Sequence, residues 1–330
     1  FLLLGGAIGA FVVIWIAVQL LVTGQRSQTQ SQFEALLEQI TSDISIAENR
    51  QLGGDPDSAN LILKRAEERA RQILSNESGL FRSDALKLLE RITAKREEIN
   101  KVVQVLPTTL ANLSAKNPDI NAEGLVNLSK GEFLVYDEKD LYRVALNSVD
   151  LLEQLDAGDR FLNAANFPRF QSTVFLTSGN SLSEFANGQL TTMKTEDASG
   201  WLAGKDIETY IRYLYVLVPE KKQIFKYERL SGRYGPPIEY NVSGDISGAL
   251  DMTITGPVYI LRNTENAKTD THEVEPEVLK LFRGEKQSFA IRNLPPDAMK
   301  GVTKILKSSP NGNFYFLDPA QKRVIVVTDG

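Results

Sequence analysis

Three hydrophobic patterns succeed one another along the chain. The first, FLLLGGAIGAFVVIWIAVQLLV at residues 1–22, carries no charge and one strongly polar side chain, Gln19. A helix rises about 1.5 Å per residue, so about 20 apolar residues cross the hydrocarbon core of a bilayer, and the run predicts a transmembrane helix. A secretory signal would show a shorter apolar stretch, basic residues before it and a small-residue cleavage site after it, none of which is evident. Gly5 and Gly9 stand at the small-xxx-small spacing that lets two helices approach closely, which makes them the candidate contact of a homodimer through the span. The chain opens on Phe1 with no methionine, which leaves room for a preceding N-terminal part. The following flank offers only Arg26 against Glu34 and Glu38, and so few cations favour the outer side of the membrane.

From about Ser27 to Val105 the apolar period becomes helical. Phe33, Leu37, Ile40 and Ile44 step by four, three and four. LGGDPDS ends that run: two glycines terminate a helix, and Asp55 caps the next with Pro56 at its first position. The second helix carries Ile62, Ala66, Ala70 and Ile73, with Glu67 placed to pair with Arg71. After SNESG a third predicts Ala85, Leu89, Ile92, Ile99 and Val103 as its buried face, with Glu97 facing Lys101. Short loops imply antiparallel packing, so residues 23–106 predict a helical hairpin or three-helix stalk; a coiled-coil dimer is the alternative, with short seams. Residues 107–125, holding two prolines, form a linker.

Residues 126–330 lose the helical period and repeat one pattern. GEFLVYDEKDLYRVAL, STVFLTSGNSLSEFANG, RYLYVLVPEKKQIFKYER, GPVYILRNTE and GNFYFLDPAQKRVIVVTDG each begin with an apolar strand followed by a polar turn, and usually by a second strand. The GPVYIL copy delays its partner, VLKLFRGEKQSFAI, by a polar insertion. Strand starts at Phe133, Val174, Leu214, Val258 and Phe314 are about forty residues apart at first and farther apart later. Such a period, carrying strands and no helix, points to propeller blades rather than a β-sandwich. ALDMTI (249–254) and GVTKIL (301–306) suit inner strands entering a blade. The fold class is therefore mainly β with an α-helical N-terminal part, with about five blades visible. Closing the ring would need further sequence or a strand donated from near residue 125.

Composition trims the functional classes. A net charge of −5 and a pI near 5.3 argue against a nucleic-acid partner. The absence of cysteine removes disulfides, thiolate metal sites and a cysteine nucleophile together. The single histidine, His272, lies in a polar run and reads as a solvated loop residue. Asp137, Glu138 and Asp140 occupy a hairpin turn that favours Asp for its geometry. Lys221, Lys222, Lys226 and Arg229 surround another hairpin tip. No P-loop, GxSxG or HExxH occurs. No catalytic residue, cofactor or metal site is assigned. SGRYGPPIEY (231–240) differs in character: Arg233, Tyr234 and Tyr240 in a proline-stiffened loop suit contact with a protein or glycan, against packing of the same tyrosines on a blade.

The YLYVLVP…IFKY and FYFLDP…VIVV segments resemble degenerate bacterial propellers of the YVTN and NHL type. The order of span, helices and propeller is similar to the C-terminal half of membrane-anchored proteins of uncultured bacteria, some of which carry a metal-dependent serine/threonine phosphatase domain ahead of the span. No phosphatase aspartate motif lies in these 330 residues. The expectation is a single-pass envelope protein whose extracytoplasmic propeller binds or senses a ligand without catalysis. The alternatives are a propeller lyase or hydrolase acting on envelope polymers, or a scaffold subunit of an envelope assembly. The inner strands discriminate: converging charges would favour catalysis, and a mixed or apolar channel would favour binding.

Overall fold

A computed structural model describes residues 30–328, apart from 77–78, 157, 266–273, 292–293 and 295–297. The expected span at 1–22, with Gly5 and Gly9, and His272 lie outside the described residues. Among the described residues no helix is long and apolar enough to cross a membrane. The chain divides into two compact units, Phe1–Leu106 and Pro107–Gly330.

Among the described residues three helices form the first unit: α1 over 30–52, α2 (Pro56–Leu74) and α3 (Arg82–Ile99). Their apolar stripes close one core, in which Phe33, Ile40 and Ile44 meet Ile62, Leu63, Ala66, Ala70, Ile73, Ala85 and Ile92. The α1–α2 turn follows its sequence: Gly54 takes φ +77°, and the Asp55 carboxylate accepts the Ser58 N–H at 3.1 Å ahead of Pro56. Glu67 pairs with Arg71 at 2.7 Å and also takes Arg96 of α3 at 2.8 Å. The third helix stops earlier than its apolar period suggests. Val103 is exposed, Lys101 lies beyond the helix at φ +53°, and Glu97 accepts Gln104 instead.

Among the described residues the second unit holds five separate sheets, antiparallel throughout apart from one short parallel pairing. The first is β1 (Gly124–Ser129), β2 (Glu132–Tyr136), β3 (Asp140–Ala145) and β4 (Ser148–Gln154). The second is β5 (Phe161–Phe167), β6 (Ser172–Thr177), β7 (Ser181–Ala186) and β8 (Gln189–Thr195). The third is β9 (Asp206–Tyr210), β10 (Tyr213–Val218) and β11 (Gln223–Glu228); two short strands follow, β12 (Arg233–Tyr234) and β13 (Ile238–Glu239). The fourth is β14 (Ala249–Ile254), β15 (Val258–Glu265), β16 (Val274–Phe282) and β17 (Glu285–Gln287). The fifth is β18 (Lys304–Lys307), β19 (Phe314–Asp318) and β20 (Arg323–Val327).

Each repeated hairpin of the sequence supplies the second and third strands of one sheet. The first strands lie side by side in chain order, β1 by β5, β5 by β9, β9 by β14 and β14 by β18. This radial row is a five-bladed β-propeller. A thin sheet cannot hide two apolar faces by itself, and the cores sit where neighbours meet. Leu176 of blade two packs with Leu214 and Val216 of blade three. Leu217 of blade three packs with Ile254 and Val258 of blade four. Leu261 of blade four packs with Phe314 and Phe316 of blade five.

The two ends of the row differ. The outer face of blade one, formed by Val135, Tyr142 and Val144, is covered by Leu110, Leu113 and Ile120 of the segment before it. Asn147 N–H donates to the Leu110 carbonyl, and Asn117 donates to the Tyr142 hydroxyl, both at 3.2 Å. On the far face of blade five, Leu306, Leu317, Val324 and Val326 are exposed among the described residues. Leu125 belongs to β1 and pairs with Val135, so the strand near that position serves the first blade and is not donated to the last.

Candidate functional site

Lining up the hairpins exposes a register invisible in the sequence alone. Asn163, Asp206, Asp251 and Lys304 sit opposite Leu176, Leu217, Leu261 and Leu317 respectively, the same position in four successive first strands. From there each side chain reaches a neighbour. The Asn163 amide donates to Asp206. The other Asp206 oxygen accepts the Met252 N–H of the following blade at 2.8 Å. Asp251 accepts the Ile305 N–H of its following blade at 2.7 Å and the Lys304 ammonium at 3.0 Å. Nearby, Thr209 donates to the Asn166 carbonyl and the Lys307 N–H donates to Thr253 at 3.2 Å. Adjacent first strands are joined by these side-chain bonds and by packing, not by a sheet ladder.

The electrostatics follow from that burial. Burial pushes the Asp206 carboxyl up to about 8, and the nearby Asp251 charge adds to it. Asp251 is raised by the same burial, with Lys304 pulling against it. Glu208, two residues along β9 and half-buried, is raised well above the usual carboxylate range by burial and by Asp206 and Asp251. Burial would lower the Lys304 ammonium, but Asp251 and Asp206 hold it above its ordinary value. Charged groups do converge on the inner strands, from the ALDMTI and GVTKIL segments among others. The oxygens of Asp206 and Asp251 are occupied by donors of adjoining strands, and this assigns them to holding blades together. Among the described residues no group of three His, Asp or Glu is arranged to hold a metal ion.

A second polar link joins blades two and three. Arg229, just past β11, meets Glu184 of β7, and the Tyr234 hydroxyl donates to the same carboxylate. Arg229 is therefore set apart from Lys221 and Lys222; Lys226 instead lies over the Tyr213 ring at 4.6 Å.

The 231–240 segment is less a free loop than a double edge strand. Through β12 it pairs parallel with β8 of blade two, and through β13 antiparallel with β11 of blade three. Of its three candidate contact residues, Tyr234 is fully buried, and Tyr240 packs edge-on against Tyr215 at 5.5 Å. Only Arg233 is exposed, and it is bonded to Glu196 at 2.6 Å. Asp137 closes its turn by accepting the N–H groups of Lys139 and Asp140, and Asp140 accepts Tyr142 and Gln154.

One end of the propeller has a distinct surface. Asn163 meets Asp206 while Asn166 meets Thr209, so β5 and β9 run the same way; Asp251–Ile305 and Thr253–Lys307 show this for β14 and β18. First-to-second and third-to-fourth strand turns therefore gather at one end. The residues in those hairpin turns, 130–131, 146–147, 168–171, 187–188, 211–212, 255–257, 283–284 and 308–313, include Lys130, Arg169, Arg212 and Arg283 and no Asp or Glu, while Glu132, Glu228 and Glu285 stand on the adjoining strand ends and Glu228 pairs with Arg212 at 3.1 Å. Leu146, Phe170, Ile211 and Phe282 stand at this end, 70%, 36%, 57% and 46% exposed. Second-to-third turns at the opposite end mix signs, with Asp137, Glu138 and Glu220 beside Lys139, Lys221, Lys222 and Lys322.

By sequence the chain matches no protein-family profile and no curated protein. By structure it is similar to PorZ, an essential bacterial surface component of the type-IX secretion system of Porphyromonas gingivalis, at 11% identity and a TM-score of 0.41. That match covers 66% of this chain and 28% of that one. It is similar to a chain of the nidogen/laminin complex at 14% identity and a TM-score of 0.40, covering 59% of this chain and 77% of that one. The WD40 propeller domain of Doa1 is similar at 10% identity and a TM-score of 0.40, over 62% of this chain and 63% of that one. These likenesses concern the fold alone, which the five radial sheets establish by themselves as a β-propeller.

Proposed function

We propose that this chain is a binding and scaffolding propeller, non-enzymatic in itself, carried at the cell envelope by the 1–22 span and the helices that follow. The observation that carries the reading is how its polar groups are used. The Asp206 and Asp251 carboxylates are occupied in holding blades together, whereas the acid-free turns at one end leave cations and apolar side chains facing solvent. Surfaces of that kind recognise partners. The membrane part rests on the uncharged length of residues 1–22. The full chain should resist alkaline extraction from membranes, and a chain starting at residue 27 should not. A lipid, protein or glycan should co-purify with the full chain and be lost when Arg169 and Arg283 are reversed to Glu; retention by that variant would overturn the reading.

A second reading, a propeller hydrolase or lyase, is favoured by Glu208. Its raised carboxyl on the axis would suit a general acid. Turnover of an envelope polysaccharide that Glu208→Gln abolishes, with the fold intact, would install that reading in place of binding.

A further inference from the structure

We infer that the acid-free first-to-second and third-to-fourth turns of the propeller dock on an anionic lipid surface. The inference rests on the binding reading above and names its ligand. Three observations at this end agree. Lys130, Arg169 and Arg283 are exposed and make no salt bridge with a described residue; the Arg283 guanidinium lies 5.4 Å from the centre of the Phe282 ring. The apolar residues Leu146, Phe170, Ile211 and Phe282 are spread one to a blade over four blades, each in or beside a turn. A protein interface would gather apolar side chains into one contiguous patch. Separate apolar tips flanked by cations suit insertion between headgroups, where Lys and Arg meet lipid phosphates.

The third observation is backbone strain. Ile211 holds φ +56° in the two-residue turn between Tyr210 and Tyr213. Left-handed backbone suits Gly or Asn and is an outlier for a β-branched residue. A fold-only requirement at this exposed site would be met better by glycine, so the isoleucine side chain itself is what the position supplies. Where the two-residue turn between β7 and β8 needs positive φ, it uses Asn187 and Gly188, residues that accept left-handed backbone without strain.

The cysteine-free chain makes the test direct. The full chain would carry Ile211→Cys or, as a second site, Phe170→Cys, labelled with an environment-sensitive fluorophore. Asn180→Cys, in a turn at the opposite end, is the control. With the span housed in phosphatidylcholine nanodiscs, each protein is titrated with separate vesicles of phosphatidylcholine, with and without phosphatidylglycerol. The expected result is a blue shift at positions 211 and 170 with the anionic vesicles only, none at 180, and loss of the shift at high salt. Arg169→Gln or Arg283→Gln should weaken the apparent vesicle affinity about fivefold each, from about 1 kcal/mol per charge near the surface. No shift at either tip, an equal shift with neutral vesicles, or an equal shift at 180 would overturn the inference. If the tips ignore lipid while the Arg169 and Arg283 reversals release a co-purifying protein or glycan, this inference falls and the binding reading stands.

Discussion

Arg229 grips Glu184 through two parallel bonds, Nε to Oε1 at 2.7 Å and Nη2 to Oε2 at 2.9 Å, and so ties the third blade to the second. Both side chains are largely buried, and the guanidinium also lies 5.3 Å from the centre of the Tyr234 ring. Removing one member leaves the other charge buried and unpaired. Glu184→Ala and Arg229→Ala should therefore each destabilise the propeller by about 3–5 kcal/mol. The double change Glu184→Met with Arg229→Met should recover much of that loss. Urea unfolding measures both, and a double variant as weak as the singles would contradict this account.

Asp206 predicts a pH dependence of definite sign. Its folded carboxyl titrates near 8 against an ordinary 3.8, so the folded chain keeps a proton that the unfolded chain has lost between those values. Stability must then fall as pH rises from about 4 to about 8, by up to about 1.4 kcal/mol per pH unit from this group. Asp251 and Glu208 are raised too and act in the same direction. Asp206→Asn keeps an acceptor for the Met252 N–H and should flatten the slope. Thermal unfolding across that pH range is the measurement, and an unchanged slope would remove Asp206 from the explanation.

Relief of strain gives an opposite expectation at Ile211. A left-handed L-residue costs about 1–2 kcal/mol that glycine avoids. Ile211→Gly should raise the unfolding midpoint while weakening lipid docking. A gain in stability accompanied by a loss of function is the outcome that separates a binding residue from a packing one.

The segment over blade one should behave as a removable cover. Leu110, Leu113 and Ile120 remain partly exposed and are joined to the blade by few hydrogen bonds. Leu113→Asp should cost about 1–3 kcal/mol, as a partly buried apolar contact is replaced by a charge. Hydrogen exchange should quicken in β2 and β3 and stay unchanged in blade four.

Much of the architecture was legible because the hairpins bury continuous apolar runs: YLYVLV and FYFLD are β10 and β19 almost residue for residue, and ALDMTI is β14. The first strands β5 and β9 were not, for a physical reason. FLNAANF and DIETY spend Asn163, Asn166 and Asp206 on neighbouring blades, so they read as turn-like polar segments. The axial row was hidden likewise, since Asp251 and Lys304 share a register only after Leu261 and Leu317 are aligned. The recurring leucine of each hairpin was the signal that could have found it. In SGRYGPPIEY the composition indicated contact, but Tyr234 makes it with Glu184 inside the protein. Val103 continued an apolar period past Ile99, where the helix had already ended.

Among the described residues blade five meets a neighbouring blade on one face, whereas blade one is also sheltered by the segment before it. In such an array each module draws stability from the module beside it, and blade five, within the described residues, has half the usual support. Heat or mechanical load should peel the propeller from β20 inward, in steps, with the Leu317 side giving way before the Leu134 side. The fold thus carries a built-in direction of failure, and protection against it has to arrive at a single known surface.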